Sequence, residues 1–213
     1  MIKKIITLTL YLSLFLHTNL TSAINITINN ATEWKLITET DGIKVFERWI
    51  TNNKAKVKER TGKMTINCSI NDVIALIKNI KKTPLWIKDA EKVENIKTED
   101  SNTWYVHTIL DTPWPFNKQD MVSKYKIVEN SNENEAKILI TQDKKLLPPI
   151  KGIDRLDSFY ATWEIYAIKN NKVKVIFTTT STKPPKYPSW AQDPVVRRVF
   201  INNLRNFKKL LNN

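Results

Sequence analysis

The chain has 213 residues and a formal charge of +13, with one cysteine (Cys68), two histidines and three glycines. A single cysteine excludes an intramolecular disulfide, and so few His and Cys cannot assemble the usual zinc ligand sets. Gly42, Gly62 and Gly152 stand in neither a GxGxxG nor a GxxxxGK pattern, so neither phosphate cradle is present and no cofactor or metal is expected.

Lys3 and Lys4 precede an apolar run at residues 5–16 and the small triplet Thr21-Ser22-Ala23, the pattern of a cleavable signal peptide over residues 1–23. The run is short for a bilayer span. The expectation is therefore an exported protein, periplasmic or secreted, with residues 24–213 as a single domain. Losing Lys3 and Lys4 takes the charge from +13 to +11. Outside the cell interior such a surface points away from nucleic acid and toward an anionic membrane surface or acidic partners.

In chain order, residues 31–40 read as a short helix carrying Trp34 and Ile37, stopped by Asp41-Gly42. Residues 43–50 form a strand with Ile43, Val45 and Trp49 on one face and Lys44 and Arg48 on the other; Glu47 interrupts the apolar face. Residues 54–66 alternate Lys56, Lys58 and Arg60 against Ala55, Val57 and Glu59, which predicts a strand with a solvated basic face. Ser69-Ile70-Asn71-Asp72 is a capping box with Asp in the usual Glu position, leading into Ile70, Val73, Ile74 and Ile77 at helical spacing. Pro84 breaks the continuation and presents Trp86, and the charged stretch 89–102 reads as a linker with its turn near 99–102.

Residues 104–110 and 121–128 are strand-like, and Thr112-Pro113-Trp114-Pro115-Phe116 joins them. Two prolines fix φ and push the residues before them into extended backbone, so this segment is a stiff aromatic elbow. Beyond it Gln119, Met121, Ser123, Tyr125 and Ile127 share one inward face. Residues 136–142 make another strand, and 144–153, with Pro148 and Pro149, a loop. Phe159, Ala161, Trp163, Ile165 and Ala167 line one face of a strand at 156–168. Asn170-Asn171 turns it back into Val173, Val175, Phe177 and Thr179. After a Pro-rich loop at 183–190, Asp193 reads as N-cap and Pro194 as first residue of a long helix. Val196, Val199, Phe200, Leu204, Phe207, Leu210 and Leu211 gather on one arc of it, and Arg197, Arg198, Arg205, Lys208 and Lys209 on the opposite arc.

Antiparallel strands without crossover helices, followed by one long amphipathic helix, define an α+β fold in which a curved antiparallel sheet buries one face against that helix. Trp86 after the capped helix, the run Trp114-Pro115-Phe116-Asn117-Lys118-Gln119-Asp120-Met121-Val122, the strand from Phe159 to Trp163 and the Pro-rich loop before the last helix resemble START domains, the StAR-related lipid-transfer domains. The resemblance covers roughly residues 33–211. It implies a helix-grip fold, with the sheet wrapped around the C-terminal helix and a tunnel holding one lipid or other apolar molecule. It also implies that a carboxylate and an arginine of sterol-carrying relatives fall at Thr108 and Gln119, both uncharged here, so the ligand is held by neutral hydrogen bonds or by shape.

The candidate lipid-binding residues are Trp86, Thr108, Ile109, Trp114, Phe116, Gln119, Met121, Tyr125, Phe159, Trp163, Phe177, Phe200 and Leu204. The expected protein is a monomeric, non-catalytic lipid carrier whose basic helix arc rests on anionic headgroups. Two alternatives stand beside it. One is a cyclase or aromatase on the same scaffold, using His107 with Asp111 or Asp120 as an acid–base pair. The other is a protein-interaction module on the basic face of residues 54–63.

Overall fold

Antiparallel pairing dominates the computed structural model, in which residues 28–52, 55–131, 134–184 and 186–212 are described; the expected signal segment 1–23 lies outside the described residues. In chain order the elements are β1 (Ile28–Asn29), β2 (Lys35–Thr40), β3 (Ile43–Asn52), β4 (Ala55–Ile66), α1 (Ile70–Lys78), α2 (Thr83–Trp86), β5 (Ala90–Thr98), β6 (Thr103–Leu110), β7 (Gln119–Ser131), β8 (Glu135–Gln142), β9 (Asp154–Arg155), β10 (Phe159–Ile168), β11 (Lys172–Ser181) and α3 (Ser189–Leu211). The strands form one sheet in the order β1-β3-β4-β11-β10-β8-β7-β6-β5, with β2 added to β3 and β9 lying parallel to the start of β7.

Three expectations are corrected. Residues 35–40 form strand, not helix: Asp41 and Gly42 both take positive φ, 52° and 67°, and make a two-residue turn that pairs Thr40 with Ile43. Asp-Gly with both residues left-handed is the turn that matches strand twist, so the dipeptide closes a hairpin instead of capping a helix. The charged stretch taken for a linker contains β5, whose exposed side chains hide the pairing of Ala90, Val93 and their neighbours with β6. The last helix begins at Ser189, not after Asp193. Pro194 lies inside it and Asp193 is buried, drawn inward by cations on β4.

Other local signals hold. The Ser69 hydroxyl accepts from the Asp72 N–H, and the Asp72 carboxylate accepts from the Ser69 N–H at 2.9 Å, closing the capping box. Asn170 and Asn171 take the left-handed backbone (φ 65° and 51°) between β10 and β11.

Strand register gives the sheet's inner face as successive cross-strand rows. Val45, Gly62, Phe177, Trp163, Ile138 and Ile127 form one row. Glu47, Arg60, Thr179, Ala161, Ile140, Tyr125 and Trp104 form the next, one step closer to the elbow. α3 packs on the first row through Phe200, Leu204 and Phe207, with Trp86 of α2 against Phe207 at 5.2 Å between ring centroids. Gly62 makes this approach possible, since a Cβ there would meet Leu204 Cδ1 at 2.2 Å. Among the described residues no helix is long and apolar enough to cross a membrane.

Candidate ligand-binding interior

The two rows differ in what fills them. Trp163 stacks obliquely on Phe177 at 4.2 Å and on Phe207 at 4.6 Å, Phe177 stacks on Phe200 at 5.8 Å, and Trp86 meets Trp163 edge-on at 6.1 Å. Four of the sequence candidates, Trp86, Trp163, Phe177 and Phe200, are thus joined with Phe207 in one aromatic cluster, and Leu204 is buried beside it. Here side chains fill the space between sheet and helix.

Toward the elbow the inner face carries Thr179 and Ala161 between Arg60 and Ile140, then Ser181 and Ser123 beside Phe159 and Gln142. Tyr125, Phe159, Thr179, Ile87 and Val93 point inward yet keep part of their surface accessible. Tyr125 stacks on Trp104 at 5.2 Å, and burial pushes its phenol up to about 12. Among the described residues the buried indole N–H groups of Trp104, Trp86 and Trp163 have no hydrogen-bond partner. A buried donor left without an acceptor costs about 1–3 kcal/mol. Thr108 sits between Val93 and Met121 on the same face, with Gln119 at the root of the elbow.

In this half, the N-terminal part of α3 sets an ionic cluster against β3 and β4. Arg60 Nε donates to Glu47 Oε1 at 2.6 Å, and Arg197 reaches both oxygens of Glu47 at 2.9 and 2.7 Å. Asp193 accepts from Lys58 and, at 3.3 Å, from Arg60. Burial raises the Glu47 carboxyl, but hydrogen bonds and charge from Arg197 and Arg60 outweigh it and hold the group at about 2. Lys58 and Arg60 therefore face inward and are ion-paired, not solvated. The sequence missed this because alternation gives a strand's two faces without saying which one is covered.

Strand parity removes Ile109 from the interior. Thr108 and Ile109 are successive residues of β6, and Ile109 pairs with Asp120 on the outer face. His107 is on that outer face too. Its Nε2 lies 2.9 Å from Asp120, which also takes Arg155 Nε at 2.8 Å and Nη2 at 2.9 Å; Arg155 then holds the carbonyls of Leu147 and Pro148. Burial raises the Asp120 carboxyl, while Arg155 and His107 bring it below its ordinary value. This buried triad staples loop 144–153 to β7. Asp120→Asn is expected to cost about 3–5 kcal/mol, because Arg155 loses its counter-charge. Thermal unfolding would show the loss.

The elbow is a rim. Trp114 is 76% exposed, Phe116 is half-buried with its ring edge-on to Tyr187 at 5.4 Å, and the Trp114–Pro115 peptide is cis. At its root, Lys88, Asp89, Ala90, Glu91 and Asp111 line an open polar cleft of about 310 Å³. Burial and the Asp111 charge raise the Asp89 carboxyl against the pull of Arg198 on α3. Among the described residues, no cluster of His, Cys, Asp and Glu has the arrangement of a metal site. Of the residues that sequence reasoning left out, Trp104 and Thr179 were readable from strand parity once the inner face was known, whereas the Glu47 cluster needs α3 packed on β3 and β4.

A curved antiparallel sheet closed by a C-terminal helix is the START helix-grip fold, and solved structures bear this out. A STAR-related lipid transfer protein from Xanthomonas axonopodis superposes with a TM-score of 0.72 at 19% identity, over 85% of this chain and 100% of its own. Human StAR-related lipid transfer protein 5 gives 0.69 at 15% identity, over 84% and 86%. An aromatase/cyclase from Streptomyces gives 0.52 at 11% identity, over 73% and 93%. In sequence, an uncharacterized protein of Pseudomonas aeruginosa is 22% identical over 178 residues, 84% of this chain and 86% of that protein. No family model matches the chain.

Proposed function

We propose that this protein is a non-catalytic lipid carrier that holds one apolar molecule between the sheet and the N-terminal half of α3. The observation that carries this reading is the contrast between the two rows. An aromatic cluster fills one half of the interior, while the other sets Thr179, Ala161, Ser181 and Ser123 among its larger side chains beneath an ion-paired helix, keeps Tyr125 partly accessible and leaves the buried Trp104 N–H without an acceptor. An apolar molecule carrying an ester or carbonyl oxygen fits both properties. Thr108, Met121 and Gln119 lie on the same inner face, and the lipid-transfer proteins that share the fold add support. The leader-like residues 1–23 favour a carrier acting outside the cytoplasm.

Native mass spectrometry of the purified chain is expected to show one bound lipid-sized molecule. Tyr125→Phe should weaken binding of an ester-bearing lipid by roughly tenfold, the worth of one buried hydrogen bond, while leaving a plain hydrocarbon unaffected. An empty protein that takes up no labelled lipid would defeat the reading. The aromatase/cyclase with the same fold keeps an enzyme in view, but the His107–Asp120 pair it would use lies on the outer face. Unchanged turnover by His107→Ala in a substrate screen would remove that pair from consideration.

A further inference from the structure

One edge of the sheet is left open. β5 ends the strand order and pairs only with β6 among the described residues, so its other side presents unpaired backbone N–H and C=O groups. Lys92, Glu94 and Lys97 are exposed along it, and Val93 and Ile96 are half-buried. Register with β6 gives the faces. Lys92, Glu94 and Lys97 stand opposite Ile109, His107 and Tyr105 on the outer face, because an irregularity between Asn95 and Lys97 shifts the alternation by one residue. Glu99 joins them there, accepting from the Tyr105 hydroxyl at 3.2 Å. The outer side of this edge therefore reads Lys92, Glu94, Lys97, Glu99, alternating in charge, while Val93, Asn95 and Thr98 face inward opposite Thr108, Val106 and Trp104.

A plus-minus-plus-minus stripe is complementary to itself when run antiparallel. A two-fold axis between Asn95 and Ile96 sets Lys92 opposite Glu99 of a second copy and Glu94 opposite Lys97, each pair occurring twice, with Val93 opposite Thr98 on the inner face. Opposite charges directly across two strands attract, and like charges repel. Sliding the strands two residues either way brings Lys92 onto Lys97 or Glu94 onto Glu99, so the charges select the register. We propose that β5 pairs antiparallel with β5 of a second copy, continuing the sheet across a two-fold axis into a homodimer. Within one copy these groups are already paired, Lys92 with Glu94 at 2.9 Å and Lys97 with Glu99 at 3.3 Å; Lys124 also reaches Glu99 at 3.4 Å, and His107 lies 3.8 Å from Glu94. Exposed pairs of this kind contribute little, so exchanging them across the axis costs little. The acids at the margins lie outside the matched stripe. Glu91 is held by Lys118, and Asp100, in the turn past the end of β5, accepts from the Asn102 N–H.

The test is sedimentation equilibrium of the purified chain, made specific by charge reversal. The intact chain should be a dimer that dissociates on dilution, and more readily as salt rises. Glu94→Lys sets lysine against lysine across the axis, and Lys97→Glu sets glutamate against glutamate. Each should weaken dimerisation roughly tenfold or more. The Glu94→Lys/Lys97→Glu double variant should restore it. So should an equimolar mixture of the two single variants, because every lysine of one strand then meets a glutamate of the other. Lys92→Glu reads the outer pair independently and should weaken dimerisation likewise. Circular dichroism checks that each variant is folded. A chain that stays monomeric at millimolar concentration would overturn the proposal. Dimerisation that the single reversals leave unchanged would also overturn it, as would a loss that neither the double variant nor the mixture repairs.

Discussion

Gly62→Val is expected to unseat α3 and cost about 3 kcal/mol or more, beyond the usual 1–3 for overpacking a core. The Cβ alone would stand 2.2 Å from Leu204 Cδ1 and 3.3 Å from Phe200 Cε1, and valine adds two methyl groups to it. Leu204 is only 2% exposed, so its methyl has no solvent to swing into. The row beside it, Val45 and Phe177, closes the lateral exits. Urea unfolding would report the loss as a lower midpoint at unchanged slope. The cause can be isolated with Gly62→Ala and Leu204→Ala. The latter opens a cavity and by itself costs about 2–5 kcal/mol. The double variant should lose less than the sum, because the added methyl enters the space the leucine leaves. Strict additivity would mean that the Gly62–Leu204 approach does not set the seat of the helix. A lifted α3 also opens the interior along its length, so on the proposed carrier reading the single valine variant should retain less lipid than the intact chain.

How much of this was legible beforehand follows from what each signal measures. Period-two alternation found β6, β7, β10 and β11, because their buried faces are apolar. It failed at β5, where only Ala90 is fully buried, and at β2, where Leu36 is exposed, as is Trp34 just before it. The Asp-Gly turn is visible in the sequence, but the same dipeptide ends helices and closes hairpins, and only the pairing of Thr40 with Ile43 decides between them. The aromatic residues of the interior were recoverable by type and spacing, yet Trp114 belongs to the surface, which proline-imposed stiffness could not decide. Least legible was the ionic cluster. Charged residues on a strand are normally solvated, and only tertiary packing brings Asp193 and Arg197 from α3 onto Glu47, Lys58 and Arg60.

That cluster makes a second large prediction, for Glu47→Gln. In the native protein the carboxylate is 5% exposed and holds Arg60 and Arg197 together; without its charge, Lys58, Arg60 and Arg197 face Asp193 alone. Leaving a buried charge without its partner costs about 3–5 kcal/mol. The pH dependence has a definite sign. The folded-state value, about 2, lies below the ordinary 4.5, so the contribution is fully present above pH 4.5 and is lost as pH falls through 2. Over that window linkage assigns it about 3 kcal/mol. The intact chain should therefore lose stability steadily on acidification, while the glutamine variant starts lower and follows a flatter curve, the two converging near pH 2. A constant gap at all pH values would mean that the charge is not what matters. Amide exchange should locate the damage: residues 189–199 lose protection, while the C-terminal half of α3, held by Arg205 on Asp41 and Phe207 in the aromatic cluster, keeps it. The N-terminal half of α3 would then be the part that opens, because ion pairs with β3 and β4, and not the aromatic cluster, hold it down.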